Sequence, residues 1–283
     1  MKIQSAGRLG NNLFIWAYAY GFSIKSDKRV SIFWDKYHSE IGAEELETAN
    51  FLESKYVHFS QSNLLGAVLK FLDWIRRFAR WPYACFCFAL RIGTEGEGTL
   101  HRRSIIRGYF QESKFVLANE SSINMMLSNA LDKVENKSLF LKEFKTKFPE
   151  YQVIHLRLGD YVGSSFGVID SASYKRLLDP ELPIVICTNG AKTEISEFLG
   201  FQADYVISPE ESTAWETLVI FTNATRFIGV NSTLSWWGAF LVSRRGFPAY
   251  LPQHWNLNMQ SDFANKLNIN GVSAYENAFL QNL

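Results

Sequence analysis

Three cysteines in 283 residues, Cys85, Cys87 and Cys187, are odd in number and stand at no metal-ligand spacing to histidine. A disulfide framework is thereby excluded and a zinc site disfavoured. Neither sign of charge dominates: Lys plus Arg number 29 against 28 Asp plus Glu, a net charge of +1. No global field is available to recruit nucleic acid, so any anion must be held locally. The opening MKIQSAGRLGNNLF has neither the continuous apolar run nor the small-residue cleavage site of a signal peptide. That absence predicts a cytoplasmic chain with reduced thiols, in which the sequons at Asn119, Asn136, Asn223 and Asn231 carry no meaning. Tandem repeats and low-complexity segments are lacking too.

What is present is apolar bulk. Hydrophobic residues make up 47% and aromatic residues 15%, with Phe 23 and Trp 8, enough to bury two cores. The length fits two small domains, with a boundary near Pro149. Before it, a strand at Ile3–Ser5, a turn at Gly7–Gly10 and a helix from about Asn11 to Lys25 form a first α/β unit, with Asn11 or Asn12 as N-cap. A second strand is expected at Val30–Trp34, a helix or loop at 44–53, a strand at Ile105–Phe110, and helix over Ser121–Phe148. After the boundary, strands at Val153–Leu158, Ile184–Cys187, Tyr205–Ile207 and Phe227–Val230 alternate with helices near Tyr174–Leu178, Thr193–Leu199, Thr213–Ala224 and Thr233–Ser243. Repeated strand-helix units predict a parallel sheet covered on both faces.

Between Leu64 and Ile92 the chain combines bulky apolar residues with Lys70, Arg76, Arg77, Arg80 and Arg91, interrupted by one acid, Asp73. Charge breaks these runs too often for a membrane span. Two readings fit: a helical pair packed into the first domain, or a surface lying in a membrane with its arginines toward lipid phosphates.

Three segments carry candidate chemistry. In VIHLRLGDY, strand alternation puts Val153, His155 and Arg157 on one face, a polar face that wants a ligand. The strand ends at Gly159-Asp160-Tyr161, on the carboxyl edge where open α/β sheets bind ligands. Spacing fits equally a plain ion pair between Arg157 and Asp160. In RFIGVNSTLSWWGAFL a buried strand gives way to a helix near Thr233, with Asn231 and Ser232 as capping side chains. Free amides at such a helix start suit a pyrophosphate, although an ordinary cap above a core built on Trp236 and Trp237 fits as well. The third is the glycine turn Gly7-Arg8-Leu9-Gly10-Asn11-Asn12, which is not G-x-G-x-x-G.

Together these segments resemble glycosyltransferase family 11, the α-1,2-fucosyltransferases. GRLGNNLFIWAYAYGFS is similar to the family's G-[GR]-x-G-N-[QN]-[ML] opening, and HLRLGDY to its H-x-R-R-G-D-Y motif. GYFQESKF, TNGAKTEISEFL and VNSTLSWWGAFL resemble three further motifs in the family's order, so that the similarity spans nearly the whole chain. Leu158 stands where the family usually has a second arginine, Thr217 where an aspartate is common, and Thr188-Asn189 where many members have Ser-Asp.

The resemblance implies an α/β fold of GT-B type: two Rossmann-like domains facing a central cleft, 1–149 on the acceptor side and 150–283 binding the donor. It implies an inverting transfer of L-fucose from GDP-β-L-fucose, with no other cofactor, to a glycan acceptor, either free or lipid-linked at the inner face of the membrane. Because no Asp-x-Asp pair occurs, no metal is expected, and Arg157 with the helix start at Asn231–Ser235 has to meet the charge of the leaving diphosphate. Asp160 and His155 are the candidate bases, His155 more in the manner of a brace. The candidate donor-binding set is Gly7, Gly10, Asn11, Arg157, Thr188, Asn189, Asn231, Ser232, Thr233, Ser235 and Trp236. Two other readings stay open: a transferase using another nucleotide sugar, or an inactive glycan-binding scaffold, to which the departures at Leu158 and Thr217 point.

Overall fold

A computed structural model describes residues 1–34, 42–95, 104–258 and 266–280, which fall into two compact units, Met1–Leu127 and Ser128–Leu283. The first contains β1 (Lys2–Gln4), α1 (Leu9–Ser26), β2 (Val30–Trp34), α2 (Gly42–Leu52), β3 (Val57–Gln61), α3 (Asn63–Phe78), α4 (Arg80–Ala89), β4 (Ile92–Thr94), β5 (Ile105–Arg107) and α5 (Ser113–Leu117). The junction of the units falls within α6 (Glu120–Lys137). The second contains α7 (Leu139–Lys147), β6 (Gln152–Leu156), a 3-10 turn at Gly159–Tyr161, α8 (Ser171–Lys175), β7 (Ile184–Thr188), α9 (Lys192–Leu199), β8 (Tyr205–Ile207), α10 (Ala214–Asn223), β9 (Arg226–Ile228), α11 (Thr233–Arg244), β10 (Ala249–Pro252) and β11 (Ser273–Tyr275).

All strand pairings in both sheets are parallel, as the strand-helix alternation requires. The first sheet runs β3-β2-β1-β5-β4 and the second β11-β10-β9-β6-β7-β8. In the second, the chain starts at β6, walks outward through β7 and β8, then returns to the other side of β6 and walks outward again through β9, β10 and β11. This is the Rossmann order, whose direction of winding reverses between β6 and β9. The first sheet differs: the chain walks outward from β1 through β2 and β3, crosses to the far edge at β4 and steps back in to β5 beside β1.

All five residues of β6 are buried, as expected for a central strand with helices on both faces. The alternation reading of its polar face is corrected here: His155 lies against the Phe221 ring of α10, with centroids 4.9 Å apart, and is covered rather than open to a ligand. Ser138 breaks the expected long helix at 121–148, because its hydroxyl caps α7 by accepting from the Leu141 N–H at 3.2 Å. Helix α7 then packs on the second sheet, with Phe144 edge-to-face on Tyr151 at 5.2 Å and Phe148 5.7 Å from Tyr205.

Helix α1 begins two residues earlier than expected, with Arg8 at the N-cap position and Gly7 at φ 74. Asn11 and Asn12 are therefore inside the helix, not caps. Asn12 instead ties the helix back to the end of β1, accepting from the Ser5 hydroxyl at 2.7 Å and donating to the Gly7 carbonyl at 3.3 Å. Residue 7 tolerates only glycine, since an added Cβ would lie 2.1 Å from Asn11 Nδ2 and the backbone is left-handed.

Trp237 of α11 is fully buried and meets Trp236 and Phe240 edge-to-face at 5.0 and 5.8 Å. Trp237→Ala is expected to lower the unfolding free energy by about 3–5 kcal/mol in urea titrations. Leu139→Ala, at a side chain 74% exposed, should shift it by less than about 0.5 kcal/mol.

Candidate functional site

The carboxyl ends of β9, β6 and β7 lie side by side, so the segments after them share one edge of the second sheet. After β6, the Arg157 Nη2 donates to Asp160 Oδ2 at 2.5 Å, and its guanidinium carbon sits 4.9 Å from the centre of the Tyr161 ring. After β7, Asn189 Nδ2 donates to the other oxygen, Asp160 Oδ1, at 2.7 Å, while Asn189 Oδ1 accepts from the Leu158 N–H at 2.9 Å. A closed chain of hydrogen bonds thus joins the two strand ends. Both carboxylate oxygens of Asp160 are engaged, and the ion pair that spacing allowed is formed. Arg157 is largely sequestered, with its side chain 13% exposed against 45% for Asp160. Its Nε is buried with no protein partner among the described residues. Thr188 turns its hydroxyl inward, accepting from the Gly190 N–H at 2.9 Å.

Leu158 takes the opposite direction from its neighbours. Its side chain joins the apolar cluster that contains Ile154, Leu156, Ile186 and Tyr174. The site keeps a single guanidinium.

After β9, the chain reaches the first turn of α11, where Thr233, Leu234 and Ser235 precede the first intrahelical bond, from the Trp236 N–H to the Ser232 carbonyl at 3.0 Å. Ser232 occupies the N-cap position but its side chain makes no cap hydrogen bond, which corrects its expected capping role. Asn231 does not cap either. Its amide Nδ2 donates to the carbonyls of Phe166 and Trp255 at 3.0 and 3.1 Å, pinning two loops to the strand end. With these two side chains turned elsewhere, the first turn of α11 still presents the positive end of the helix dipole at this edge. Trp236 faces inward: it is fully buried and its indole N–H donates to the Leu267 carbonyl at 2.7 Å.

Ser235 lies where strand, loop and helix meet. Its Oγ accepts from the Val230 N–H at 2.9 Å and is 2.7 Å from His155 Nδ1. Burial, with the Arg157 charge adding to it, holds His155 well below the ordinary histidine pKa. The neutral ring and the Ser235 hydroxyl are thus joined by one hydrogen bond at Nδ1. Sequence reasoning missed one further member: the Tyr161 hydroxyl donates to the Asn231 carbonyl at 2.8 Å and so ties the 3-10 turn to the loop before α11. Its place at the end of the Gly-Asp-Tyr run was the available signal.

Gly7, Gly10 and Asn11 belong to the first unit, between the end of β1 and the first turn of α1. Asn11 Oδ1 accepts from Gln111 Nε2 at 2.9 Å, and Gln4 Oε1 from Arg107 Nε at 2.9 Å. Gln4, Arg107 and Gln111 were not among the candidates; Gln111 stood within the quoted GYFQ segment. No group of three or more His, Cys, Asp or Glu side chains suited to a metal ion gathers among the described residues.

No family model and no curated protein matches the sequence. Solved structures do. A glycosyl transferase of family 9 from Veillonella parvula superposes with a TM-score of 0.53 at 8% identity, over 97% of this chain and 86% of that one. A mutant of Arabidopsis thaliana FUT1 in complex with GDP gives 0.45 at 11% identity, over 92% and 71% of the two chains. Fucosyltransferase NodZ from Bradyrhizobium gives 0.45 at 11%, over 86% and 93%. At these identities the similarity is one of fold, and it is the family 9 structure that carries it. The chain has the GT-B fold of glycosyltransferases, built from two parallel-sheet α/β units.

The state of His155 has a pH consequence. Its folded pKa is depressed, so below the unfolded value of about 6.5 the unfolded chain binds a proton that the folded chain refuses. Stability contributed by this site is complete above about pH 6.5 and declines as pH falls. Thermal midpoints measured between about pH 8 and pH 5 should therefore drop in the parent and change less in His155→Gln. Equal slopes in the two proteins would contradict the assignment.

Proposed function

We propose that the chain is an inverting glycosyltransferase that moves L-fucose from GDP-β-L-fucose to a hydroxyl of a glycan acceptor, the O2 of a galactoside, without a metal ion. The second unit holds the donor and the first the acceptor. Support comes from the motif resemblance, from the GT-B fold, and above all from one juxtaposition. The Arg157 guanidinium and the first turn of α11 stand at the ends of adjacent strands β6 and β9, where the winding reverses and a diphosphate is best met.

In the reaction, an acceptor oxygen bonds to the anomeric carbon as the bond from that carbon to the β-phosphate oxygen breaks. GDP departs with the electron pair, and the hydroxyl proton is released. The transition state is oxocarbenium-like, so negative charge accumulates on the leaving phosphate. Arg157 and the amides of Leu234 and Ser235 meet that charge without reorganising, because both are already fixed in place. Asp160 aims the guanidinium: with Arg157 and Asn189 on its two oxygens, it is a positioning group more than a base. His155 has the same character, holding Ser235 at the helix start. Thr188, Asn189 and Gly190 face the guanine, and Ser232 and Thr233 flank the phosphates.

A second reading, a glycan-binding protein without turnover, is favoured by Leu158, whose side chain lies in the apolar cluster where the related motif has an arginine. GDP release measured with GDP-fucose, UDP-sugars and ADP-sugars over a panel of galactosides separates the readings. GDP-fucose is expected to be turned over, and Arg157→Lys to lose about 10²–10³-fold in rate at saturating donor. Near-normal turnover of Arg157→Lys would remove that residue from its role. GDP binding without turnover would favour the second reading, and activity abolished by a chelator and restored by magnesium would refute the metal-free mechanism.

A further inference from the structure

The α3–α4 hairpin is partnered on one side only. Leu69 and Leu72 of α3 pack with Phe33 and Ile92, and Tyr83 and Cys87 of α4 lean on the same cluster. Away from it, Leu64, Phe71, Trp74 and Phe78 recur at helical spacing along α3, and Phe71–Trp74–Phe78 form a continuous aromatic row with centroid separations of 6.0 and 5.2 Å. Trp74 is 57% exposed, Phe78 74%, Trp81 78% and Phe88 79%, and α4 buries no residue at all. Apolar surface of this extent, concentrated in one hairpin, marks a site of interaction.

Charge identifies the occupant. Lys70, Arg76, Arg77, Arg80 and Arg91 are all exposed on the hairpin and its end. Its one acid, Asp73, receives a two-pronged bond from Arg107 at 2.7 and 2.9 Å, so the local field is positive in a chain of net charge +1. Arg76, Arg77 and Arg80 line one open groove with Asp73 and Tyr83. Pairing with a second copy would set these cations against each other. An anionic bilayer neutralises them, and Trp and Phe beside Arg are the composition of segments that lie in a lipid interface. Among the described residues no helix is long and apolar enough to cross a membrane, so the hairpin would lie in the membrane plane.

We infer that the α3–α4 hairpin docks this protein on an anionic phospholipid surface, its aromatic row among the acyl-chain ends and its arginine groove on lipid phosphates. The test is flotation of the full chain with vesicles of phosphatidylcholine alone or with about a third phosphatidylglycerol. Binding is expected only to the anionic vesicles, weakening in high salt. Arg76→Glu/Arg77→Glu/Arg80→Glu should weaken it by roughly a hundredfold or more. Trp81→Ser/Phe88→Ser, at two side chains so exposed that the thermal midpoint is left unchanged, should weaken it at least tenfold. The inference is overturned by absence of flotation with both vesicle types or by parent and variants floating alike. It is equally overturned by a dimer in light scattering that the Trp81/Phe88 variant dissociates while no vesicle binding is seen.

Discussion

The fully buried hydroxyl of Ser235 is the tie on which the second unit's site depends. It accepts from the backbone of the loop after β9 and shares a hydrogen bond with a histidine inside β6, while itself belonging to the first turn of α11. Three elements that diverge at the reversal of the sheet are thereby held in one register. The arrangement leaves no room to spare: a Cβ on Gly229 would come within 2.7 Å of Leu251 Cδ2 and 3.0 Å of Ser235 Cβ. Glycine there is a matter of close approach, since the strand end must touch the helix it precedes. A buried hydroxyl that lost either partner would leave a polar group unsatisfied, at a cost of about 1–3 kcal/mol.

From that tie the electrostatics follow. His155 stays neutral because it is buried, and a neutral ring can take the Ser235 hydrogen. Positive charge at this sheet edge therefore belongs to Arg157 and to the end of α11, and not to the imidazole. Asp160 restrains the guanidinium and is itself held by Asn189 of the neighbouring strand end, and the Tyr161 ring lies against the guanidinium. Tyr161 in turn holds the Asn231 carbonyl, so that the loop supporting the helix start and the turn supporting the arginine are one structure. Fixed charges and dipoles of this kind act without rearrangement, which is what stabilising a developing anion demands.

The first unit's parallel sheet has a different strand order. Beside its central strands β1 and β5 stand two side-chain pairs, Asn11 with Gln111 and Gln4 with Arg107, the guanidinium being paired in turn with Asp73. Arg107 thus links the interior of that sheet to the root of the α3–α4 hairpin. The hairpin's aromatic row faces outward because the core cluster beneath it is already filled by Phe33, Leu69, Leu72 and Ile92.

Much of this order is written locally. β2 and β8 were legible to the residue, because β-branched and aromatic runs bounded by charge have few other ways to fold. β3, β4, β10 and β11 were not, being held by their neighbours in the sheet rather than by any pattern of their own. Gly7, the Gly-Asp-Tyr turn and the helix after Asn231 announced themselves through residue types whose conformational or hydrogen-bonding habits are strong. Which partner each side chain chose was decided only by the tertiary structure. Asn12 and Asn231 turned away from capping, His155 went into the core, and Asp160 was shared between two strand ends. Such choices depend on crossovers that bring residues 155, 189 and 235 to one edge of a sheet, and nothing within a local window of sequence encodes that distance.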